Sequence, residues 1–171
     1  MLLANAIATA QTLQPGTTIP QIKGTTLEDQ AIILPDAVRG KVTLLIITFS
    51  KTAGELGRGW SDPFFKDYPQ DDKVTSYAIA MLEDVPSLMR GLVRGSIKKG
   101  VPSSMRRRFI TVKQDENQWK QYLGLKNDKD PYLILLDGNG QRQWIHSGAF
   151  DSTVYGGLKA RIAELVSAKM K

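Results

Sequence analysis

The chain has 171 residues, of which 42% are hydrophobic and 23% charged, as is typical of one globular domain. It contains no cysteine and one histidine, which excludes disulfides, thiol catalysis and a histidine-rich zinc site. No apolar run approaches the roughly 18 residues that a transmembrane helix needs. The net charge of +6 favours anionic partners or surfaces.

The first 22 residues carry no charged side chain. Leu2–Ala10 resembles the end of a signal-peptide apolar region, and Ala8–Ala10 fits its small-x-small cleavage pattern, but the basic leading segment is missing. We therefore interpret residues 1–14 as a signal-peptide remnant or a flexible tail, and residues 15–171 as a single domain. The first interpretation predicts an exported, periplasmic or membrane-associated protein, and the cytoplasm is the alternative.

Two apolar segments predict the centre of a sheet. Val42–Phe49 is almost unbroken, which is typical of a strand buried on both faces. Lys73–Met81 predicts a second strand, with Tyr77 and Ile79 on one face and small Ala78 and Ala80 on the other. Between the two strands, Ser50–Gly59 is a loop or a helix start, because its glycines lower helix propensity.

The second half of the chain predicts a strand, a hairpin and two helices. Strands are expected at 109–112, 132–136 and 141–146, and helices at 115–123 and from 151 or 152 onward. The whole order is a βαβ half followed by a ββα half. It indicates an α/β protein with a mixed sheet and helices on both faces.

An amphipathic helix is predicted between the second and third strands, ending near Gly100 and Pro102. We expect its apolar stripe to face the core. The alternative is a membrane-surface helix whose basic side chains lie at the level of the lipid headgroups. The stripe consists of Val85, Leu88, Met89, Leu92, Val93 and Ile97.

The same region carries most of the excess positive charge. Residues 90–108 have a charge of +7 and contain no acid, which leaves −1 for the rest of the chain. Such a cluster predicts contact with anionic lipid headgroups, worth ~1 kcal/mol per residue, or with an acidic partner. A solvated basic face is the alternative, and nucleic acid is disfavoured because aromatic residues are not interleaved. The cluster consists of Arg90, Arg94, Lys98, Lys99, Arg106, Arg107 and Arg108.

The order of elements resembles the thioredoxin-like superfamily, and redoxins in particular, over roughly residues 15–168. Leu34–Lys41 resembles the segment that opens the redoxin fold. Asp130–Pro131, followed by an apolar strand and the turn Asp137–Gly140, resembles its cis-proline strand and hairpin. The resemblance implies a central mixed sheet flanked by helices on both faces, here with an inserted basic helix.

The chain departs from redox-active members at the position after the first long strand. A cysteine is expected there, but this chain has Ser50–Leu56, and hydroxyls cannot replace a thiolate without an activating base. The resemblance therefore implies neither oxidoreductase activity nor a cofactor. We expect a degenerate active site that caps a helix or grips an extended peptide. It consists of Ser50, Thr52, Ala53, Glu55, Leu56, Asp130 and Pro131.

A narrower resemblance is to the family of the mitochondrial ATP synthase assembly factor "ATP ten". It is carried by Leu88–Pro102 with its Lys-Lys-x-x-Pro ending, by Trp60 with Pro63–Phe64, and by Arg142–Gly148. The family implies a non-catalytic protein that helps a hydrophobic membrane subunit join the ATP synthase. The alternative is a redox-inactive exported redoxin relative that binds a peptide or ligand.

A third hypothesis is an enzyme that uses the hydroxyl or carboxylate groups of Ser50, Thr52 and Glu55. It requires a pocket that holds a carboxylate with a perturbed pKa. His146 is expected to be structural, because no nucleophile elbow precedes it. Phe64 and Phe65, with Trp60, are expected to pack inside, or to form a partner hot spot if they are exposed.

Overall fold

The computed structural model describes residues 15–69 and 72–168, so the predictions for residues 1–14 lie outside the described residues. Within those ranges the chain has an α/β fold. Its strands are β1 Thr17–Thr18, β2 Ile22–Thr26, β3 Ala31–Leu34, β4 Val42–Thr48, β5 Val74–Met81, β6 Phe109–Val112, β7 Tyr132–Leu136 and β8 Gln141–Ser147. Its α-helices are α1 Lys51–Asp67, α2 Ser87–Gly100, α3 Glu116–Leu123 and α4 Ser152–Ala168. Short 3-10 helices span Asp36–Val38 and Ser103–Arg108.

A single sheet holds the strands in the order β1-β8-β7-β4-β5-β6-β2-β3. The central strands β4, β5 and β6 are parallel. The strands on either side are antiparallel, with β7 on β4 and β2 on β6. This arrangement confirms the predicted mixed sheet. All seven residues of β4 are buried, as the unbroken apolar run predicted.

Alternate strand positions supply two cores, one on each face of the sheet. α1 and α4 cover one face, where Trp60 and Phe64 pack against Leu158. α3 covers the other face through Trp119 and Leu123. Each fully buried aliphatic or phenylalanine side chain contributes roughly 1.5–3 kcal/mol, so these two cores account for most of the stability.

α1 is longer than its sequence suggested. It continues through Gly54, Gly57 and Pro63, although these residues have weak helix propensity. Tertiary burial of one helix face outweighs that preference, because Ala53 and Trp60 lie on the covered side with Gly57. A side chain at Gly57 would lie 3.3 Å from Ile46, so the glycine also permits close packing on β4.

A substitution at Gly24 of β2 tests how closely the outer strands pack. A Cβ added there would lie 2.9 Å from the carbonyl oxygen of Thr111 and would clash with the side chain of Ile110. We expect Gly24→Ala to lower the free energy of unfolding by about 1–3 kcal/mol. Gly156→Ala is the matched control, because nothing lies within 4 Å of its added Cβ. It should raise stability by up to about 1 kcal/mol. Urea denaturation measures both, and equal effects would contradict the packing argument.

Candidate functional site

The start of α1 occupies the position where a redoxin would place its cysteine. Ser50 caps the helix, because its Oγ accepts a hydrogen bond from the backbone N–H of Ala53 at 3.1 Å. The same hydroxyl donates to the carbonyl oxygen of Asp128 at 2.7 Å. Ser50 therefore joins the helix to the loop that precedes β7.

The remaining residues of this region are divided between surface and interior. Ala53 is buried and Leu56 is half-buried, whereas Thr52 and Glu55 are exposed. Glu55 forms an ion pair with Lys51 at 3.9 Å.

The Asp130–Pro131 segment lies beside this helix start, but it differs from the expected motif. The carbonyl oxygen of Pro131 accepts a hydrogen bond from the N–H of Gly148 at 3.1 Å, which ties the segment to the end of β8. Within residues 15–69 and 72–168, the cis peptide bond is Leu34–Pro35. The prediction of a cis-proline at Pro131 is therefore wrong. Asp130 instead accepts a hydrogen bond from Asn127 Nδ2 at 3.0 Å.

The basic cluster of residues 90–108 is not free of acids once the chain is folded. The turn between β2 and β3 brings Asp29 to Arg94 at 2.8 Å and to Lys98 at 3.8 Å. The adjacent Glu28 pairs with Arg107 at 2.8 Å. These ion pairs could not be predicted from the sequence, because the two acids precede the cluster by more than sixty residues.

Other members of the cluster bind backbone carbonyls of their own chain. Arg90 donates to Val85 and Glu83 at 2.9 and 2.7 Å. Arg106 donates to Val101 at 3.2 Å. These arginines hold the ends of α2 in place in addition to contributing charge. Lys99 is exposed, and no partner is recorded for it among the described residues.

α2 does not pack its apolar stripe into the core, which corrects the expectation from its periodicity. It has no buried residue. Val85, Val93 and Ile97 are half-buried, whereas Leu88 is 93% and Leu92 is 69% exposed. The periodicity identified the apolar stripe, but it could not show that part of the stripe faces solvent.

The outward face of α2 follows the spacing of a helix surface. Leu88, Leu92, Gly95 and Lys99 are separated by four, three and four residues, so they lie on one side. Gly91 flanks them, and an added Cβ at Gly91 or Gly95 would meet nothing within 4 Å. We call these five residues the outward face. The Gly91–Gly95 spacing was visible in the sequence, and it is the signal that could have found this surface.

A carboxylate cluster fixes the loop that leads into α2. The buried Glu116 accepts hydrogen bonds from the backbone N–H groups of Glu83 and Asp84 at 3.0 and 3.3 Å. Glu83 in turn accepts one from the N–H of Glu116 at 2.6 Å. Lys120 forms ion pairs with Glu116, at 3.0 Å, and with Asp84. The start of α2 is thus tied to the start of α3.

Between α2 and the sheet lies a cavity of about 690 Å³. Its floor includes Ile46, Ala78 and Phe109, which are paired neighbours across β4, β5 and β6. Ala78 is half-buried although β5 is a central strand. Ser76, Ala78 and Ala80 also line the cavity, so this face of β5 presents small side chains to the space beneath the helix.

The cavity wall contains both apolar and charged groups. Phe65 of α1 and Ile97 of α2 supply apolar surface. Arg108 also lines the cavity, and its Nη1 is buried without a hydrogen-bond partner. Its Nη2 donates to the carbonyl oxygen of Pro69 at 3.2 Å, and its guanidinium lies 5.6 Å from the centre of the Phe65 ring.

The burial of Trp60 and Phe64 decides between the two alternatives predicted for them, internal packing and an exposed hot spot. Trp60 and Phe64 are fully buried, so they pack inside and do not form an exposed hot spot. Trp60 Nε1 donates to the carbonyl oxygen of Gly148 at 3.0 Å. His146 lies between two tryptophan rings, 5.4 Å from Trp60 and stacked 5.7 Å from Trp144. These contacts give His146 a packing role.

The chain has the fold of thiol-disulfide proteins without their cysteine. A protein disulfide isomerase described as putative, from Bacteroides thetaiotaomicron, matches with a TM-score of 0.62 and 16% identity, covering 91% of this chain and 92% of that one. A thiol:disulfide interchange protein DsbE, also described as putative, from Chlorobium tepidum gives 0.61 and 18%, covering 91% and 99%. BsSco, a member of the Sco family of cytochrome c oxidase assembly proteins, gives 0.64 and 10%, covering 92% and 98%. The chain therefore has a thioredoxin-like fold.

The family is defined by sequence. The family model described as ATP10 protein matches residues 13–160, which is most of the chain. The chain therefore belongs to the ATP10 protein family, as its basic helix and Lys-Lys-x-x-Pro ending predicted. No curated protein matches it.

The cluster at the base of α2 predicts a pH dependence of stability. The hydrogen bond from Lys120, opposed by a smaller desolvation effect, lowers the pKa of Asp84 below its usual 3.8. A lowered carboxyl pKa gives stability that is present above the unfolded pKa and is lost as pH falls through the folded pKa. We expect Asp84→Asn to reduce the loss of stability below about pH 4.

Lys120 titrates at the other end of the range. Its hydrogen bond to Asp84 raises its pKa above 10.5, so this contribution is lost only as pH rises through the raised value. Thermal unfolding of the wild type and Asp84→Asn between pH 2.5 and pH 7 measures the acid effect. Asp36→Asn is the control, because its ion pair with Arg39 lies elsewhere on the surface. Parallel acid limbs for the wild type and Asp84→Asn would contradict the assignment.

Proposed function

We propose that this protein is a non-catalytic assembly factor that binds a hydrophobic protein partner near a membrane. Membership of the ATP10 family supports a role in assembling the ATP synthase. The observation that carries the proposal is the outward face of α2. Two large apolar side chains, Leu88 and Leu92, are exposed there beside a cation.

The shape of this face suits a helix as the partner. Gly91 and Gly95 are four residues apart and unobstructed, so a second helix can approach the backbone of α2 closely. Leu88 and Leu92 would then be removed from water. Burying one such side chain contributes roughly 1.5–3 kcal/mol. A hydrophobic membrane subunit supplies apolar helices of this kind.

The charge near this face supports a position at a membrane surface. Lys99 lies on the outward face, and the chain as a whole carries +6. An anionic headgroup region attracts such a surface. Within the described residues, no helix is long and apolar enough to cross a bilayer. We therefore propose peripheral association, in an exported or periplasmic setting.

Several observations support recognition without catalysis. The chain has no cysteine. The hydroxyl of Ser50 is engaged with Ala53 and Asp128, so no neighbouring base activates it. Glu55 is exposed and paired with Lys51. The helix start that carries redox chemistry in relatives here serves as a cap.

A second candidate function is the binding of a peptide or small ligand by an exported redoxin relative. The cavity beneath α2 favours it, because about 690 Å³ lies within the range of roughly 300–1,000 Å³ for ligand pockets. The two candidates use different sides of α2, so variants can separate them. The outward face serves the partner, whereas the cavity face serves the ligand.

The first test removes apolar surface from the outward face. We expect Leu88→Gln combined with Leu92→Gln to leave the unfolding midpoint within a few degrees of the wild type, because both side chains are exposed. Affinity capture from the membrane fraction of the source organism, with mass spectrometry, should recover a hydrophobic ATP synthase subunit with the wild type. Recovery with the double variant should fall at least fivefold.

The matched control is Ile33→Gln on β3. Ile33 is 43% exposed and lies on the edge strand, so the substitution makes the same kind of apolar-to-polar change on the surface at a site outside α2. It should capture as much subunit as the wild type. Equal recovery by the wild type and the Leu88/Leu92 variant would overturn the outward face as the docking surface. Recovery of no ATP synthase subunit by any variant would overturn the assembly role.

A second test concerns the basic cluster. Lys99→Glu should preserve stability and weaken cosedimentation with anionic phospholipid vesicles by roughly fivefold or more, since each cation near the surface contributes ~1 kcal/mol. Arg94→Glu should lower the unfolding midpoint, because Arg94 donates to the carbonyl of Thr26 and to Asp29. Neutral vesicles are the control. Vesicle binding that is insensitive to Lys99→Glu would exclude this lysine from the membrane contact.

A further inference from the structure

We propose that the outward face of α2 pairs with the same face of a second copy of this chain, with the two helices antiparallel. The pair covers Leu88 and Leu92 until the assembly partner displaces the second copy. The inference rests on the proposed function in one respect, because the surface that pairs is the surface offered to that partner. The pairing itself needs only this chain.

The first argument is the amount of apolar surface that α2 presents to water. Leu88 is 93% and Leu92 is 69% exposed, and Met89 beside them is 47% exposed. A cluster of large exposed apolar side chains marks an interaction surface, because covering it removes apolar area from water. A second copy brings an identical cluster, so one symmetric contact covers both.

The second argument is the shape of the outward face. Gly91 and Gly95 lie about one helical turn apart, and an added Cβ at either position would meet nothing within 4 Å. Small residues at this spacing let two helix backbones approach closely. When the two α2 helices run antiparallel, Gly91 of each copy lies opposite Gly95 of the other. Leu88 and Leu92 then pack beside this close contact.

The third argument is the distribution of charge along α2, which fixes the direction of pairing. Asp84 precedes the helix and Lys99 lies in its last turn. Asp84 remains 67% exposed although it pairs with Lys120. In an antiparallel pair, Lys99 of each copy lies opposite Ser87 of the other and near its Asp84, so opposite charges meet at both ends. A parallel pair would bring the two Lys99 side chains together, whereas the antiparallel pair separates them by about 18 Å.

The fourth argument is that α2 is held in place before it pairs. Arg94 donates to the carbonyl of Thr26 and to Asp29, so pairing does not have to order the helix. α2 has 14 residues and is about 21 Å long. A contact of this size buries less than the roughly 800 Å² per partner of a standard interface. We therefore expect a weak dimer that exchanges readily, as displacement by a partner requires.

Sedimentation velocity of the purified full chain measures the pairing, with no ATP synthase subunit present. We expect the wild type to change from monomer to dimer between about 1 μM and 1 mM. Gly91→Gln combined with Gly95→Gln should weaken the dimer roughly tenfold or more, because the added side chains hold the helices apart. Leu88→Gln combined with Leu92→Gln should weaken it by a similar factor.

The matched control is Gly156→Gln combined with Gly157→Gln on α4. An added Cβ at these two positions also meets nothing within 4 Å. Both pairs of glycines lie inside helices, so both double substitutions should raise the unfolding midpoint. Only the substitutions on α2 should change the dimer. Thermal unfolding therefore separates a loss of pairing from a loss of folding.

Engineered cysteines report the direction of the helices, because the chain has no cysteine of its own. Ser87 and Lys99 are both exposed. A mixture of the Ser87→Cys and Lys99→Cys variants, treated with a short bismaleimide, should form a cross-link between positions 87 and 99. Lys99→Cys alone should cross-link poorly, since the two copies of position 99 are about 18 Å apart. Preferential cross-linking of position 99 to itself would contradict the antiparallel arrangement.

The displacement step is tested by capturing the ATP synthase subunit with a mixture of tagged and untagged wild type. The complex that contains the subunit should hold tagged protein alone, because the subunit and the second copy compete for one face. Untagged protein in that complex would show that pairing does not mask the docking surface.

Two sedimentation results would overturn the pairing. They are a monomer at every concentration of the folded wild type, and a dimer that the α2 glycine variant leaves unchanged. A monomer that still captures the ATP synthase subunit would remove the pairing and keep the assembly role. A dimer that captures no subunit would keep the pairing and remove the assembly role, so the two failures are distinguishable.

Discussion

The arrangement of this molecule depends on the small side chains of one face of β5. Ser76, Ala78 and Ala80 line the cavity beneath α2, and α2 buries none of its own residues against this face. Polar contacts hold α2 in place, and one set lies in the middle of the helix, where Arg94 binds the carbonyl of Thr26 and the carboxylate of Asp29. Arg90 binds the carbonyls of the preceding loop, and Glu116 fixes that loop from α3. The cavity lies over these small side chains, whereas Leu88 and Leu92 are exposed because they lie on the side of α2 that faces away from it.

The sheet and most helices could be predicted because their signals are local. Val42–Thr48 is apolar at every position but Thr43 and Thr48, and such a run is compatible with few environments other than the centre of a sheet. The full length of α1 was harder to predict, because Gly54, Gly57 and Pro63 have weak helix propensity. Burial against β4 overrides them, and burial depends on residues that are distant in the chain.

The candidate site was less accessible to sequence reasoning, for the same physical reason. Hydrophobic spacing identified the apolar residues of α2 but could not show which of them would find a partner inside the domain. The charge run suggested an acid-free patch, whereas the fold brings Glu28 and Asp29 to it. The unpartnered nitrogen of Arg108 has no sequence signal at all, because it depends on three-dimensional packing.

The loss of cysteine gives these features a common meaning. In a redox-active relative, the start of α1 must remain exposed for thiol exchange. Here Ser50 binds the carbonyl of Asp128, which ties that helix start to the loop before β7. The surface left for recognition is then the neighbouring α2. Its outer side presents Leu88 and Leu92, on which the proposed partner would dock. Because Arg94 in the middle of α2 binds Thr26 and Asp29, and Arg90 binds the loop before the helix, the docking face is held in place before a partner arrives.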